Sequence, residues 1–156
     1  MVEKYRIRKA VLEDIKNVFD LSNDHLVRAN SINREQIKWT DHEKWFTSRI
    51  RKRKEPFYIV ESEKGAFIGQ VRVDKKCDEY VISVSITEKC RGKGIGADVI
   101  RQCIKKSGLK SVTAYIYDTN YASIKSFEKA GFKKSNLLKF VYTETLSKLK
   151  KFSGDG

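Results

Sequence analysis

A glycine-rich basic segment, residues 91–96, lies between a predicted strand and a predicted helix. In the strand, residues 80–87, apolar and β-branched residues alternate with serine, and a helical pattern resumes at Ile95. Glycines let a backbone approach a phosphate closely, and a helix N-terminus adds about half a positive charge. Because Arg91 and Lys93 add full charges, the segment predicts a site for a phosphate group.

The spacing of the glycines excludes two familiar phosphate loops. A Walker loop needs four residues between its glycines and then Lys-Ser/Thr, and a dinucleotide loop reads G-x-G-x-x-G. Here Gly92, Gly94 and Gly96 are spaced two apart and Ala97 follows. The pattern R-x-x-G-x-G resembles the acetyl-CoA pyrophosphate loop of the GNAT acetyltransferase superfamily. The alternative is a tight glycine-rich turn without a ligand.

A second block of residues supports the resemblance. A predicted strand, residues 111–117, is followed by Asn120, a helical segment and then Gly131-Phe132. GNAT members carry a similar block at this point, in the same order relative to the loop. The resemblance implies acetyl-CoA as the cofactor and a splayed pair of central strands that admits the pantetheine arm.

The resemblance also assigns cofactor contacts by position. The backbone of Ser85, Ile86 and Thr87 would pair with the pantetheine arm. The pyrophosphate would be held by the N–H groups of Arg91, Gly92, Lys93, Gly94, Ile95, Gly96 and Ala97. Asn120 would hydrogen-bond the CoA arm, and the alternative for Asn120 is that it caps its own helix.

Phe127 is the main departure from the family pattern. Many similar enzymes place a tyrosine seven residues after the asparagine to protonate the leaving thiolate, and Phe127 occupies that cofactor-side position here. Phenylalanine has no proton to donate, so the thiolate leaves unassisted or another group donates. Tyr115, Tyr117 and Tyr121 are candidate donors, with packing as their alternative role.

Acetyl transfer to an amine requires a base, because an amine is protonated at neutral pH and must lose a proton before it attacks. Glu88 follows the central strand, close to the expected position of the amine. His42 has a suitable pKa range but lies in the first turn of a predicted helix, which it could simply support. We take Glu88 and His42 as the catalytic candidates, with Asp74 as a weaker third.

A narrower resemblance concerns the acceptor. Several segments look like bacterial N-acetyltransferases of nucleotide-linked amino sugars in pseudaminic-acid-type pathways. These segments are residues 42–46, 57–60, 68–74 and 123–127. The resemblance implies a small-molecule amine acceptor that is nucleotide-linked, bound by Gln70, Arg72 and Trp45. For Trp45 the alternative is core packing.

Three other functions stay open. A protein N-terminal or lysine acetyltransferase is one, although the basic chain argues against the acidic groove that such enzymes often carry. A non-catalytic acyl-CoA-binding module is the second, because the usual tyrosine is missing. The formal charge of +13 favours a nucleic-acid binder, but the charge is spread along the chain without an aromatic–basic RNA motif, so nucleic acid is not the expected partner.

Length and composition indicate one domain. The chain has 156 residues, of which 40% are hydrophobic. We expect a single acetyltransferase domain over residues 1–148 and a flexible tail over 149–156. The sequence shows no apolar run of membrane-spanning length, no signal segment and no metal-ligand or disulfide spacing among Cys77, Cys90 and Cys103. We therefore expect a cytoplasmic protein without a membrane or metal partner, as a monomer or homodimer.

Hydrophobic periodicity predicts an α+β fold. Strands are expected at residues 5–8, 57–61, 66–74, 80–87, 111–117 and 137–146, and helices at 11–21, 40–51, 95–107 and after Asn120. Residues 23–37 are expected to form an irregular connection with one helical turn. Thr40 and Glu43 predict a capping box, and Gly69 predicts a bulge or a close backbone neighbour. The order matches the GNAT order, which implies a three-layer domain whose central mixed, mostly antiparallel sheet is flanked by helices.

Overall fold

The structure is a computed structural model that describes residues 4–136 and 138–144. Its strands are β1 (Tyr5–Lys9), β2 (Phe57–Ser62), β3 (Phe67–Lys76), β4 (Glu79–Ile86), β5 (Ser111–Tyr115), β6 (Lys133–Lys134) and β7 (Lys139–Thr143). Its helices are α1 (Ile15–Ser22), α2 (His25–Ala29), α3 (Trp39–Ile50), α4 (Ile95–Ser107) and α5 (Tyr121–Lys129), with 3-10 turns at Leu12–Asp14 and Glu88–Cys90. None of these helices is long and apolar enough to cross a membrane.

The described strands form one sheet in the order β1-β2-β3-β4-β5-β7-β6. Neighbouring strands are antiparallel except β4 and β5, which are parallel. The β4–β5 register pairs Val81 with Thr113, near the start of β4, and no described residue of β5 pairs with β4 beyond that point. The two strands therefore diverge, which confirms the predicted α+β fold with a splayed central pair.

Alternation along β3 divides its side chains between two faces of the sheet. Val71 and Val73 belong to the main core, which also contains Val60, Ile82, Val99, Ile100, Cys103, Val112, Phe127, Phe132 and Phe140. Gln70, Arg72 and Asp74 lie on the opposite face, which α1 and α3 cover in part. A smaller apolar cluster on that face contains Val18, Phe46, Phe57 and Ile59.

Gly69 is required where β3 lies against both of its neighbours. The β2–β3 register shifts between Val60 and Glu61, beside the Val60–Gly69 pair. A Cβ atom at Gly69 would lie 2.3 Å from the carbonyl oxygen of Ser85 in β4. Both predicted explanations of Gly69 are therefore observed, and β3 can approach β4 closely only because this position has no side chain.

The predicted capping box at Thr40 is wrong. α3 begins at Trp39, its N-cap is Lys38, and no side chain caps it. Thr40 therefore lies inside the first turn, where its hydroxyl cannot take the N-cap role. Glu43 instead accepts a hydrogen bond of 3.0 Å from Nε1 of Trp39.

Other boundaries differ from the predictions by short stretches. The helix expected at residues 11–21 begins with a 3-10 turn, and β5 ends at Tyr115 rather than at 117. The single helical turn expected within residues 23–37 is α2, whereas the two-residue strand β6 was not predicted. The last strand is β7. Residues 137, 145 and 146 of its predicted span lie outside the described residues, as does the predicted tail at 149–156.

Candidate functional site

The glycine loop adopts a backbone conformation that favours glycine. Gly92 and Gly94 have φ angles of +75° and +77°, in the left-handed region that other residues rarely adopt. Apart from the chain neighbours, no heavy atom of the described residues lies within 4 Å of a Cβ atom built on either glycine, so space adjoins the loop. Gly94 is also the N-cap of α4, and the loop therefore ends at a helix N-terminus.

Several backbone N–H groups of the loop are available to a ligand. The N–H group of Arg91 is not one of them, because it donates to the carbonyl of Glu88 at 3.3 Å. This corrects the prediction that Arg91 contributes an N–H group to the pyrophosphate site. Across the described residues, no acceptor is paired with the N–H groups of Gly92, Lys93 or Gly94. The first turn of α4 adds the N–H groups of Ile95, Gly96 and Ala97, so the loop fits a pyrophosphate.

The guanidinium group of Arg91 connects the loop to α2. Its Nε donates to the carbonyl of Ile86 at 2.9 Å, and its Nη2 donates to Oδ1 of Asp24 at 2.7 Å. The same Asp24 oxygen caps α2 by accepting from the N–H groups of Leu26 at 3.0 Å and Val27 at 3.3 Å. The charge of Arg91 is therefore paired within the protein.

Asp24 is a residue that the sequence analysis missed. Burial alone would raise the pKa of its carboxyl group, but the hydrogen bonds from Arg91 and Val27 outweigh burial and hold the pKa below its ordinary value. The one local signal was an aspartate before a helical turn. The partner lies 67 positions away, so sequence alone could not identify the ion pair.

Among the described residues, the edge of β4 that faces β5 pairs with no strand after Val81. On its other edge, Thr87 donates its N–H group to the carbonyl of Ile68 at 2.8 Å. Because successive main-chain groups point to opposite edges of a strand, Ser85 and Thr87 direct theirs toward β3. Val84 and Ile86 therefore direct theirs toward the wedge between β4 and β5.

This alternation corrects the predicted pantetheine contacts. Ile86 keeps its predicted position, whereas the main-chain groups of Ser85 and Thr87 face the neighbouring strand β3. The sequence analysis missed Val84 as a pantetheine contact. Val84 lies two residues before Ile86, so the main-chain groups of both residues point to the same edge of the strand. The sequence does not show which edge of β4 is left open, and that information decides which residues present their backbone.

Helix α5 borders the loop from the side of β5. The side chain of Asn120 accepts a hydrogen bond of 3.3 Å from the N–H group of Ser123, so it caps α5. Phe127 is 3% exposed, and its ring centroid lies 4.9 Å from that of Phe132 in an edge-to-face contact. A Cβ atom on Gly96 would lie 3.3 Å from Oγ of Ser126, so this glycine lets α4 and α5 pack closely.

The three predicted substrate residues lie together on the face opposite the main core. The Cζ atom of Arg72 lies 4.9 Å from the ring centroid of Trp45. Nη1 of Arg72 donates to Oε1 of Gln70 at 3.4 Å. In the β3–β4 register, Gln70 pairs with Ser85 and Arg72 pairs with Ser83, so the group adjoins the strand that forms one side of the wedge.

Asp74 is a poor base because two guanidinium groups hold it. Its oxygens accept from Nε of Arg49 at 2.6 Å and from Nε of Arg72 at 3.1 Å. Burial would raise the pKa of Asp74, but these arginines outweigh burial and keep the pKa low. Arg49, which is 3% exposed, also donates to the carbonyl of Val73 at 2.7 Å, and the sequence analysis did not predict its structural role.

His42 and Glu88 lie in opposite environments. His42 is 2% exposed, and its Nε2 lies 2.9 Å from the carbonyl oxygen of Ile15. Burial lowers the pKa of His42, with the Ile15 carbonyl acting in the opposite direction. This environment fits support of the α1–α3 contact. Glu88 is exposed in the 3-10 turn that follows β4.

The three tyrosines considered as proton donors lie in different environments. Tyr115 donates its hydroxyl to Glu79, which also binds Lys139, and the hydrogen bond to Glu79 raises the pKa of Tyr115. Tyr117 contacts Arg34, whose Cζ atom lies 5.5 Å from the ring centroid. Tyr121 is 70% exposed at the start of α5. The raised pKa makes Tyr115 a weak proton donor.

A splayed β4–β5 pair above a glycine loop at a helix N-terminus defines an acetyltransferase architecture. The family model described as "Acetyltransferase (GNAT) domain" matches residues 4–133, so the chain belongs to the GNAT acetyltransferase family. The predictions of a GNAT fold, of an acyltransferase and of acetyl-CoA as the cofactor are confirmed.

Individual relatives are named for different amines. A Bacillus subtilis (strain 168) protein named "Putative phosphinothricin acetyltransferase YwnH" is 29% identical over 139 residues, which cover 81% of this chain and 82% of the relative. A spermidine N-acetyltransferase from Vibrio cholerae, solved with CoA and spermine, has a TM-score of 0.80 at 14% identity, covering 91% of this chain and 96% of that one. The aminoglycoside acetyltransferase AAC(6')-Ib, solved with coenzyme A, has a TM-score of 0.76 at 15% identity, covering 95% and 99%. The two solved structures share the fold.

Proposed function

We propose that this protein transfers the acetyl group of acetyl-CoA to a primary amine of a small molecule, and that the acceptor is a nucleotide-linked amino sugar. The observation that carries the proposal is the open edge of β4, which leads directly into a loop of unpaired N–H groups among the described residues. A cofactor along this edge would place its pyrophosphate at the loop. Its thioester would then lie in the wedge beside Val84.

The cofactor supplies an acetyl group that is already activated as a thioester. The main-chain groups of Val84 and the N–H group of Ile86 would pair with the pantetheine arm, because the Ile86 carbonyl already accepts from Nε of Arg91. Asn120 and Phe127 would border the arm from α5. The pyrophosphate would be held by the N–H groups of Gly92, Lys93, Gly94, Ile95, Gly96 and Ala97, together with the N-terminal dipole of α4.

The reaction forms a C–N bond and breaks a C–S bond. The neutral amine attacks the thioester carbonyl carbon, the electron pair of the C–S bond leaves on sulfur, and the nitrogen releases its second proton to water. We assign the base that first removes the amine proton to Glu88, acting through water, because this candidate is exposed in the 3-10 turn that follows β4. His42 is not retained as a base because it is buried against Ile15. Phe127 cannot protonate sulfur, so the thiolate leaves as an anion.

The acceptor assignment rests on the cluster of Trp45, Arg72 and Gln70 beside β4. An exposed indole next to a guanidinium group suits a ligand that is both planar and anionic. The formal charge of +13 also favours anionic ligands over polycations. The relatives described above are named for phosphinothricin, spermidine and aminoglycosides, so the nucleotide-linked sugar is a proposal for this chain.

The test is free-thiol release from acetyl-CoA with a matched set of acceptors. The set contains a UDP-linked 4-amino sugar, the same amino sugar without the nucleotide, spermidine and a peptide with a free N-terminus. We expect thiol release with the nucleotide-linked sugar at a kcat/KM at least tenfold above that of the free sugar. Mass measurement of the product should show one added acetyl group.

The remaining outcomes separate the alternatives. Release with the peptide alone would favour a protein acetyltransferase and contradict the proposal. Binding of acetyl-CoA without thiol release for any amine would favour a non-catalytic acyl-CoA-binding module. Equal rates for the nucleotide-linked and free sugars would support acetyl transfer to a small-molecule amine but contradict the proposal that the acceptor is nucleotide-linked.

A further inference from the structure

We propose that the cavity between α3 and β3, called here the α3–β3 cavity, binds the phosphate groups of the acceptor. The cavity has a volume of about 310 Å³. It is lined by Trp45, Ser48, Arg49, Lys52, Glu55, Arg72, Asp74, Lys75 and Lys76. This inference rests on the proposed function and specifies which part of the acceptor the chain recognises.

The charge of the cavity lining is strongly positive. Five of its nine lining residues are cationic and two are acidic. Both acidic residues already have partners. Asp74 binds Arg49 and Arg72, and Glu55 accepts the N–H group of Lys75 at 2.6 Å. Its carboxylate also lies 3.9 Å from Lys52. An anion entering the cavity would therefore meet uncompensated positive charge.

Not every cation of the lining is available to a ligand. The guanidinium group of Arg49 already donates hydrogen bonds to Asp74 and to backbone carbonyls. The ammonium group of Lys75 lies 5.8 Å from the ring centroid of Tyr80, a residue that packs against the main core on the other face. Lys52 and Lys76 are both exposed at the mouth of the cavity. Lys52 meets Glu55 only at 3.9 Å, so these two lysines and Arg72 are the cations of the lining that can meet the ligand.

Arg72 links the cavity to the reacting centre. Nε and Nη1 of Arg72 bind Asp74 and Gln70, whereas Nη2 has no acceptor among residues 4–136 and 138–144. The ring of Trp45 holds the guanidinium plane in place at 4.9 Å. Arg72 pairs with Ser83 across the β3–β4 ladder. The guanidinium group of Arg72 therefore lies one strand away from the wedge.

The register relates the cavity to the proposed position of the thioester. Val84 pairs with Val71, and the cavity lining follows along β3 at Arg72, Asp74 and Lys76. At about 3.3 Å per strand residue, these positions lie roughly 3, 10 and 17 Å along the strand from the level of Val84. An acceptor whose amine lies in the wedge would therefore meet the lining with groups that extend along β3 away from that amine.

The chemistry of the lining favours phosphate over carboxylate. Lysine ammonium groups bind phosphate as mobile point charges, and a guanidinium group binds phosphate oxygens with paired donors. A diphosphate offers two anionic groups to the set formed by Lys52, Lys76 and Arg72, whereas a single carboxylate offers one. Pyrophosphate is therefore the simplest probe of the cavity, with malonate as a dicarboxylate comparison of similar size.

The experiment measures pyrophosphate binding by calorimetry to protein saturated with CoA, so that the glycine loop is already occupied. We expect binding that the double substitution Lys52→Glu and Lys76→Glu weakens at least tenfold. The double substitution of both lysines to Gln should weaken binding by an intermediate factor. The double substitution Lys105→Glu and Lys106→Glu is the matched control, because it makes the same total charge change on exposed positions of α4, and it should leave the affinity within about twofold.

Three results would overturn the inference. These are no pyrophosphate binding to the CoA-saturated protein, equal affinity in the wild type and the Lys52/Lys76 double variants, or tighter binding of malonate than of pyrophosphate. Loss of CoA binding itself would instead contradict the proposed function. Since CoA saturation is measured first in the same titration, the two failures are distinguishable.

Discussion

The cofactor end and the acceptor face of this protein are built in different ways. The cofactor end uses a nearly contiguous segment, from Val84 to Ala97, and offers mainly backbone N–H groups. The acceptor face uses side chains from α3 and β3, such as Trp45 and Arg72, held by ion pairs and ring contacts. The difference supports our proposal that one region recognises a constant cofactor through main-chain geometry, whereas the other sets the acceptor specificity through side chains that substitution can change.

The two regions are nevertheless joined at two points. Gly69 lets β3 approach Ser85 closely, and Arg91 connects Ile86 to Asp24 at the start of α2. Substitutions at these points should affect both regions together. Substitutions within one region should leave the other intact, and the predictions below test that separation.

The largest effect is expected for Gly69→Ala. The new Cβ atom would lie 2.3 Å from the Ser85 carbonyl oxygen, so β3 and β4 must move apart. We expect a loss of about 2–3 kcal/mol in the free energy of unfolding and a Tm lower by roughly 5–10 °C. Thermal and urea unfolding provide the measurement.

Gly96→Ala is the control for Gly69→Ala. Its Cβ atom would lie 3.3 Å from Oγ of Ser126, a side-chain atom that can adjust, and alanine favours the helix. We expect the Gly96 variant to unfold within about 1 kcal/mol of the wild type. Equal losses of stability for the two substitutions would contradict the role given to Gly69.

Gly94→Asp should affect ligand binding at the glycine loop without affecting ligand binding in the α3–β3 cavity. It places a carboxylate beside the loop and disturbs a residue with φ of +77°. We expect acetyl-CoA binding to weaken at least tenfold, or about 1.4 kcal/mol, while pyrophosphate binding in the α3–β3 cavity is retained. Calorimetry with each ligand measures both quantities.

Gly94→Asn is the matched neutral substitution. Asparagine tolerates positive φ better than most residues, so it retains much of the conformation without the added charge. We expect a smaller loss of acetyl-CoA affinity than for aspartate. Unchanged affinity in the aspartate variant would refute the assignment of the loop.

Asp24→Asn tests the connection between the loop and α2. Asparagine preserves the N-cap but removes the charge that binds Arg91, so we expect a loss of about 0.5–1 kcal/mol in unfolding free energy at pH 7. Asp24→Ala removes the cap as well and should cost about 1–2 kcal/mol. Urea unfolding of the three proteins measures these differences.

The Asp24 contribution should also depend on pH. The pKa of Asp24 is lowered in the folded protein, so its stabilisation is present above the unfolded pKa of about 3.9 and is lost as pH falls through the folded value. The wild type and the Asp24→Asn variant should therefore converge in stability in strong acid. A stability difference that is unchanged from pH 7 down to strong acid would show that the ion pair contributes nothing.

Phe127→Tyr should have the smallest effect on turnover. If the thiolate leaves without protonation, a hydroxyl at this position adds no rate, and we expect kcat to stay within about threefold of the wild type, or about 0.7 kcal/mol. Phe127→Leu controls for the edge-to-face contact with Phe132. A gain in kcat above tenfold for tyrosine alone would show that thiolate protonation limits the native enzyme.

The elements around the glycine loop were easier to predict from the sequence than the contacts between α3 and β3. The loop, the central strand and the start of α4 are adjacent in the chain, so their spacing alone carried the information. Even there, the open edge of β4 selected Val84 over Ser85 and Thr87, because strand pairing decides where backbone groups point. His42 looked suitable as a base by residue type, but its burial against Ile15 depends on how α1 packs on α3.

By itself the sequence determined the order of the elements and the glycine loop, and its resemblance to a known family indicated the GNAT acetyltransferases. The order and the loop depend on local periodicity and on short spacings, which a linear chain records directly. Only the tertiary structure decided that Arg91 binds Asp24, that two arginines hold Asp74, and that a basic cavity lies between α3 and β3. These features join residues from 2 to 67 positions apart, and their partners are chosen by the register and packing of the sheet rather than by neighbours in the chain.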